Sequence, residues 1–434
     1  MPKISSWGLL KAEEQDLYTV RNRRYNFYSD LLKTNKKLLP RGNGRSYGDV
    51  CQNENGVLLS SLFLDNYIKF IPERGLITVE SGVILKDLQR FLVRHGFMLP
   101  VTPGTEMITV GGAIANDVHC KNHHMFGTFG NHVESLTLLR SDGEVLNCSL
   151  SENEGYFRAT IGGLGLTGFI TDATLKLKKV DGPWIDAENI PYSNLKEFFE
   201  IAKESEKMYE HTVSWIDCIS GNGERGIFMR GNNSKKKKLT EQNFSLGVPF
   251  MMPFSLVNQF SLWWFNHLYY LSQRLKKKHF TVHYEKFFYP LDNIQNWNRI
   301  YGPQGFYQYQ FVVPMNNGFD AVTEVQHEIA KSGQGSFLGV LKTFGSYKSL
   351  GLLSFPFEGF TYALDFPNKG AETLKLFQNL DSIVEEAGGR LYLAKDARQP
   401  KRLFLRGYGK AMDTFIKYVD PKLSSDLSRR LMGF

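Results

Sequence analysis

Apolar residues recur along the first third of the chain with alternating short and helical periods. Residues 57–64 and 75–80 read as strands, the second with Ile77 and Val79 on one face. Leu85, Leu88, Phe91 and Leu92 repeat at helical spacing, and His95-Gly96 closes that helix. Residues 135–140 and 144–148 flank the turn Ser141-Asp142-Gly143 and predict a hairpin. A further strand over 170–177 alternates through Thr171, Ala173, Leu175 and Leu177. Residues 1–37 predict only a short strand or helix. Asp181-Gly182-Pro183 reads as a boundary, because Gly and Pro together punctuate local structure.

Beyond that boundary the elements are longer and richer in aromatics, over 195–208, 214–219, 307–313, 319–332, 337–344, 361–366 and 374–387, predicting an α+β second domain. A strand over 390–394 and a helical tail follow, with Leu423, Leu427 and Leu431 at i, i+4, i+8. One insert stands apart. Residues 235–238 and 274–278 are basic and bracket 242–273, which carries no formal charge but holds Phe250, Phe254, Phe260, Trp263 and Trp264. That arrangement fits a segment lying in a bilayer interface, or equally a buried helix with basic linkers. Pro249 and Pro253 argue against a full span.

Two glycine-rich stretches interrupt the apolar pattern. Leu38 and Leu39 read as the end of a buried strand that Pro40 stops. Gly42, Gly44 and Gly48 then allow consecutive N–H groups to turn inward and form an anion-binding nest, with Arg41 and Arg45 beside it. The spacing is one residue longer than the dinucleotide fingerprint and no Walker lysine follows. Pro103-Gly104-Thr105 and Thr109-Val110-Gly111-Gly112-Ala113 form the second stretch. Together they predict one extended ligand held from two sides.

A chain of 434 residues, 42% hydrophobic and 22% charged, has room for two or more globular domains. The net charge of +8 favours anionic partners, while no zinc knuckle, RNA-binding signature or helix-turn-helix pattern points to nucleic acid. Cys51, Cys120, Cys148 and Cys218 show no C-x-x-C pair, so reduced thiols and a cytoplasmic setting are expected. The first residues do not read as a secretory signal.

His119, His123, His124 and His132 cluster, but no carboxylate or thiol completes a helix-spaced ligand set and His123-His124 are adjacent, so no metal is assigned. His119 is a candidate for holding a cofactor or relaying a proton. Lys395 ends a predicted strand; surface exposure is the simpler reading, and a desolvated base or anion holder the functional one. Gln308 and Gln310 point the same way from an apolar strand and suit sugar hydroxyls or a plain polar edge. Lys342, between Leu341 and Phe344, poses the same choice.

The segments PRGNGRSYGD, PGTEMITVGGAIANDVHCKNHH, FGNHVESLTLL, GGLGLTGFI, WNRIYGPQGFYQYQFVVP and GGRLYLAKD, taken together, resemble the vanillyl-alcohol-oxidase-like flavoproteins. Within them the likeness is to the oxidases of the decaprenylphosphoryl-β-D-ribose 2′-epimerase family, from about residue 39 to the C-terminus. The resemblance implies an α+β, two-domain FAD-binding fold with an antiparallel substrate sheet. Residues 1–183 would bind FAD, 184–389 (with the insert 235–278) the substrate, and 390–434 would return to the first domain. FAD would be held by Arg41, Gly42, Asn43, Gly44, Arg45, Ser46, Tyr47 and Gly48, and by Gly104, Thr105, Thr109, Val110, Gly111 and Gly112. Asn116, Asp117, His119, Ile170 and Tyr392 would complete the shell. Attachment would be non-covalent, since Arg45-Ser46 stands where many relatives place a linking histidine.

The implied reaction oxidises the 2′-hydroxyl of a polyprenyl-phosphate-linked ribofuranose. Lys395, His119 and Tyr47 would be catalytic, with Lys121, Trp215, Gln308, Gln310, Lys342, Thr361 and Ala363 at the substrate. Implied partners are an NAD(P)H-dependent keto-sugar reductase and a membrane surface, with the protein peripheral to the inner face of the membrane. Ala363 replaces a cysteine found in some members, and Thr361 and Phe288 replace more polar residues. The alternatives are a soluble aldonolactone or alditol oxidase, and an inactive membrane-associated binding protein of the same fold.

Overall fold

The computed structural model describes residues 3–24, 26–31, 34–219, 224–238 and 246–434. Three sheets carry the architecture. In the first, short parallel strands lie in the order Asp16–Thr19, Val57–Ser60, Leu38–Arg41. The middle strand is buried along its whole length, as a parallel strand covered on both faces must be. Pro40 lies inside its strand rather than ending it. Leu38–Arg41 is an edge strand, so the missing N–H breaks no ladder.

The second sheet is antiparallel, in the order Val145–Cys148, Val133–Leu139, Phe169–Lys176, Leu76–Glu80, Tyr67–Ile71. The expected hairpin and both expected strands are therefore present. Helix Leu85–Arg94 buries Leu85, Leu88, Leu92 and Val93 in the core that this sheet shares with Val110, Ala113 and Ile114.

The third sheet has eight antiparallel strands, in the order His279–His283, Trp184–Tyr192, Gly226–Asn233, His211–Ile216, Gly339–Phe344, Gly359–Pro367, Phe306–Pro314, Arg390–Leu391. Helices Leu195–Ser205, Met315–Ser332 and Ala371–Glu386 pack on one face, against Tyr309, Phe311, Val313, Leu341, Tyr362 and Leu364. Because strand side chains alternate, Gln308, Gln310, Lys342, Thr361 and Ala363 fall on the opposite face.

Three expectations need correcting. The strand expected over 390–394 stops at Leu391, because Lys395 and Asp396 N–H groups both donate to the Tyr392 carbonyl and close a turn. Leu423 lies outside the last helix, Asp426–Leu431; it bridges to Leu38 instead, joining the C-terminal tail to the parallel sheet. The insert is not a buried helix. Helix Gln259–Leu275 turns Phe260, Trp263, Trp264 and Phe265 outward, and residues 239–245 of the insert fall outside the described residues. No helix among the described residues is long and apolar enough to cross a membrane.

Candidate active site

A cavity of about 550 Å³ lies between the two glycine-rich loops and the polar face of the third sheet. Its floor is the glycine loop after Leu38–Arg41. Trp7 N–H donates to Ser46 O at 2.9 Å, Ser6 Oγ to Tyr47 O at 2.8 Å, and Tyr47 N–H to Ala394 O at 3.2 Å. The two ends of the chain thus clamp the loop, while the amides of Asn43, Gly44 and Arg45 take no partner among the described residues. Gly44 holds φ +61°, the left-handed geometry that lets neighbouring amides converge. Asn43 Nδ2 donates to Met107 O at 2.7 Å and ties this loop to the second.

In the second loop Thr109 caps helix Val110–Ala115, its Oγ1 accepting from Gly112 N–H at 3.1 Å. A Cβ on Gly42 would sit 2.2 Å from that Oγ1, so glycine there lets the two loops touch. Arg41 and Arg45, both half-buried, lean on the N-terminal segment: Arg41 Nη2 donates to Ser5 O at 3.2 Å, and Arg45 stacks over Trp7 at 4.3 Å.

The opposite wall is the polar side of the third sheet. Gln308 Nε2 donates to Asp365 Oδ1 at 2.6 Å, its cross-strand partner, and Gln310 Nε2 meets His119 Nε2 at 3.0 Å. Lys342 Nζ donates to Cys120 O at 3.2 Å, and burial pulls its pKa down to about 8. Lys395 Nζ rests 3.5 Å from the centre of the Tyr47 ring. Burial lowers the Lys395 pKa and raises that of Asp365, and the charge of each partly offsets the shift of the other. His119 is held neutral, because burial first and the charge of Lys342 next lower its pKa well below the usual value.

Five expected site residues do not line this cavity. Gly48 abuts the Asp396 carbonyl, where a Cβ would lie at 1.7 Å, so it serves the join to the tail. Val110 is fully buried and its N–H donates to Val83 O at 2.9 Å. Asp117, also buried, accepts from Gly130 N–H at 2.8 Å and from Ser354 Oγ at 2.5 Å. Lys121 donates to Phe287 O and lies over that ring. Trp215 Nε1 donates to Phe337 O at 2.9 Å, with Tyr269 against its ring. The remaining expected residues all border the cavity.

Sequence reasoning missed Trp7, Ser81, Lys86, Gly165, Asp292 and Trp297, which also border it. Gly165 had a signal, since it lies in the glycine-rich segment GGLGLTGFI. Asp292 had none, since its place is set by accepting from Thr105 Oγ1 at 2.8 Å and Glu106 N–H at 2.7 Å.

The FAD binding domain family matches residues 27–149, which carry both glycine loops. Decaprenylphosphoryl-beta-D-ribose oxidase of Mycolicibacterium smegmatis is 37% identical over 419 residues, covering 91% of this chain and 89% of that one. The chain belongs to the decaprenylphosphoryl-β-D-ribose oxidase family. An uncharacterised Streptomyces coelicolor protein is 27% identical over 370 residues, 80% of this chain and all of its own. L-gulonolactone oxidase of Mus musculus is 33% identical over only 142 residues, a third of either chain.

The chain is an FAD-dependent oxidoreductase with the α+β fold of the vanillyl-alcohol-oxidase family. The cavity fits that cofactor on its own chemistry. Arg41 Nε, Ser81 Oγ, Asn116 Oδ1 and His119 Nδ1 are buried without partners among the described residues, and all four residues border the cavity. With the unspent amides of the first loop they offer donors and acceptors to a phosphate and a flat polar ring.

Proposed function

We propose that this enzyme oxidises the 2′-hydroxyl of a polyprenyl-phosphate-linked ribofuranose to the ketone, the first half of an epimerisation that supplies arabinose for cell-envelope glycan. The likeness to the mycobacterial ribose oxidase carries this reading, because it runs through both the cofactor loops and the substrate sheet. Likeness to the lactone oxidase is confined to a third of the chain.

FAD, when bound, supplies the hydride acceptor. The chain's own residues do the rest. Gln308, Gln310 and Thr361 present side-chain amides and a hydroxyl that orient sugar hydroxyls. Lys395 Nζ sits where an ammonium stabilises the alkoxide that develops as the carbon loses hydride, while the hydroxyl proton leaves to water. Tyr47 seats that ammonium, and neutral His119 fixes the Gln310 amide. FAD is bound non-covalently, since residues 41–48 include no histidine. The ketone product requires an NAD(P)H-dependent reductase as partner, and the lipid tail of the substrate calls for access to a membrane surface.

The test is anaerobic mixing of the FAD-loaded protein with prenylphosphoryl ribose and, separately, with an aldonolactone. Bleaching by the lipid-linked sugar alone is expected. Bleaching by the lactone alone overturns the reading in favour of a soluble lactone oxidase, and bleaching by neither favours an inactive binding protein.

A further inference from the structure

Helix Gln259–Leu275 is amphipathic in the wrong sense for a soluble protein. Its buried positions are Leu262, Asn266, Tyr270 and Gln273, and both amides make a hydrogen bond inward. Asn266 Nδ2 donates to Asp217 Oδ1 at 2.8 Å, and Gln273 Oε1 accepts from Asn189 Nδ2 at 3.1 Å. Phe260, Trp263, Trp264, Leu268, Leu271 and Leu275 face outward, with Phe260 73% and Leu275 88% exposed. A surface helix normally hides such a stripe, and a continuous exposed one marks an interaction surface. Asn258 and Ser261 close a capping box that fixes the first turn of the helix.

The apolar strip continues to the edge of the cavity. Leu246, Phe250, Met251 and Phe254 are exposed on the segment leading into the helix. That segment is stitched to the cavity wall by Val248 N–H to Gln295 O at 2.9 Å, Leu256 N–H to Ile300 O at 2.8 Å, and Arg299 Nη1 to Pro249 O at 2.7 Å. Ile294, Gln295, Asn296 and Trp297 border the cavity itself. Cations flank the strip along the chain: residues 235–238 and Arg274, Lys276, Lys277 and Lys278 are exposed, and no Asp or Glu occurs from 246 to 278.

We infer that this face is a monotopic foot that seats in an anionic phospholipid bilayer and sets the cavity mouth at headgroup level. The aromatic stripe supplies in-plane burial, the flanking cations meet the anionic surface, and the helix crosses nothing. A second protein copy would bring the same cationic frame against itself, which disfavours self-association. That the foot also delivers substrate rests on the lipid-linked sugar reading above.

The experiment is sedimentation of the FAD-loaded chain with vesicles of neutral phosphatidylcholine, or of the same lipid with added phosphatidylglycerol. The parent is expected to pellet with the anionic vesicles and to be released by salt. Phe260→Ser/Trp264→Ser/Leu268→Ser, at exposed positions, should partition about 100-fold less, and Lys276→Glu/Lys277→Glu/Lys278→Glu should lose the preference for anionic lipid. Unchanged flavin content shows that both variants are folded. A parent that stays in the supernatant, or an apolar variant that binds as well as the parent, overturns the inference. So does a dimer without vesicles that the apolar variant abolishes. Vesicle binding without flavin reduction by prenylphosphoryl ribose keeps the foot and removes the substrate reading.

Discussion

Replacing Lys395 with Met keeps the length and apolar bulk of the side chain and removes its charge. The ammonium lies 3.5 Å from the Tyr47 ring centre and is the cation that Asp365 faces from the adjoining strand wall. Losing a positioned charge that stabilises a developing oxyanion costs on the order of 100- to 1,000-fold in rate, about 3 to 4 kcal/mol. Asp365, buried and accepting from Gln308 at 2.6 Å, then loses its opposing charge and takes up a proton. Gln308 keeps its place, so substrate affinity should change far less than rate. Rapid-mixing measurement of anaerobic flavin bleaching against substrate concentration separates the limiting rate from half-saturation. The pH profile adds a sign. Burial lowers the Lys395 pKa below the usual 10.5, and the proposed role makes the ammonium the working form. The parental rate should therefore fall as pH rises through that lowered value, and the Met variant should show no such fall. Bleaching by the variant at the parental rate, or a parental rate that climbs with pH, refutes the assignment.

Gly42→Ala should leave most of the protein without FAD, because its Cβ would meet Thr109 Oγ1 at 2.2 Å and push the two loops apart; the flavin-to-protein absorbance ratio reports it. Lys342, with its pKa brought down to about 8, should hold an anionic substrate group best below that pH. Half-saturation should then rise about tenfold per pH unit above it, and Lys342→Met should abolish the dependence. Asp420 is fully buried and accepts from Ser141 N–H at 2.7 Å, Ser141 Oγ at 2.5 Å and Lys422 N–H at 3.0 Å. Asp420→Ala should cost about 3 to 5 kcal/mol, read as a lowered Tm, by leaving those donors unpaired and loosening the tail from the hairpin.

The elements that the chain announced are those with a clean period. Helix Leu85–Arg94 and the hairpin of Val133–Leu139 with Val145–Cys148 follow from spacing and turn chemistry alone. The alternation of Gln308 and Gln310 likewise fixed which face of their strand would be polar. Strand Trp184–Tyr192 was not legible, since Asp186, Glu188 and Asn189 mask its period. Their compensation comes from afar: Arg230 Nε donates to Glu188 Oε2 at 2.7 Å. Lys395 was ambiguous because a turn closed at Tyr392, not a strand end, aims it inward. Lys121 and Trp215 were read toward the cavity by resemblance, yet their polar atoms are satisfied by backbone carbonyls elsewhere. The outward aromatic face of Gln259–Leu275 depended on which residues the helix buries, and two of those four are amides that no apolar pattern selects.

In the proposed reaction hydride leaves a single sugar carbon beside the cavity's Lys395 wall. Prenylphosphoryl ribose carrying deuterium at C2′ tests this directly under anaerobic single turnover. Bleaching should slow several-fold, and the sugar recovered as ketone should have lost its deuterium. Bleaching at the unlabelled rate, with deuterium retained in the oxidised sugar, would contradict that reaction.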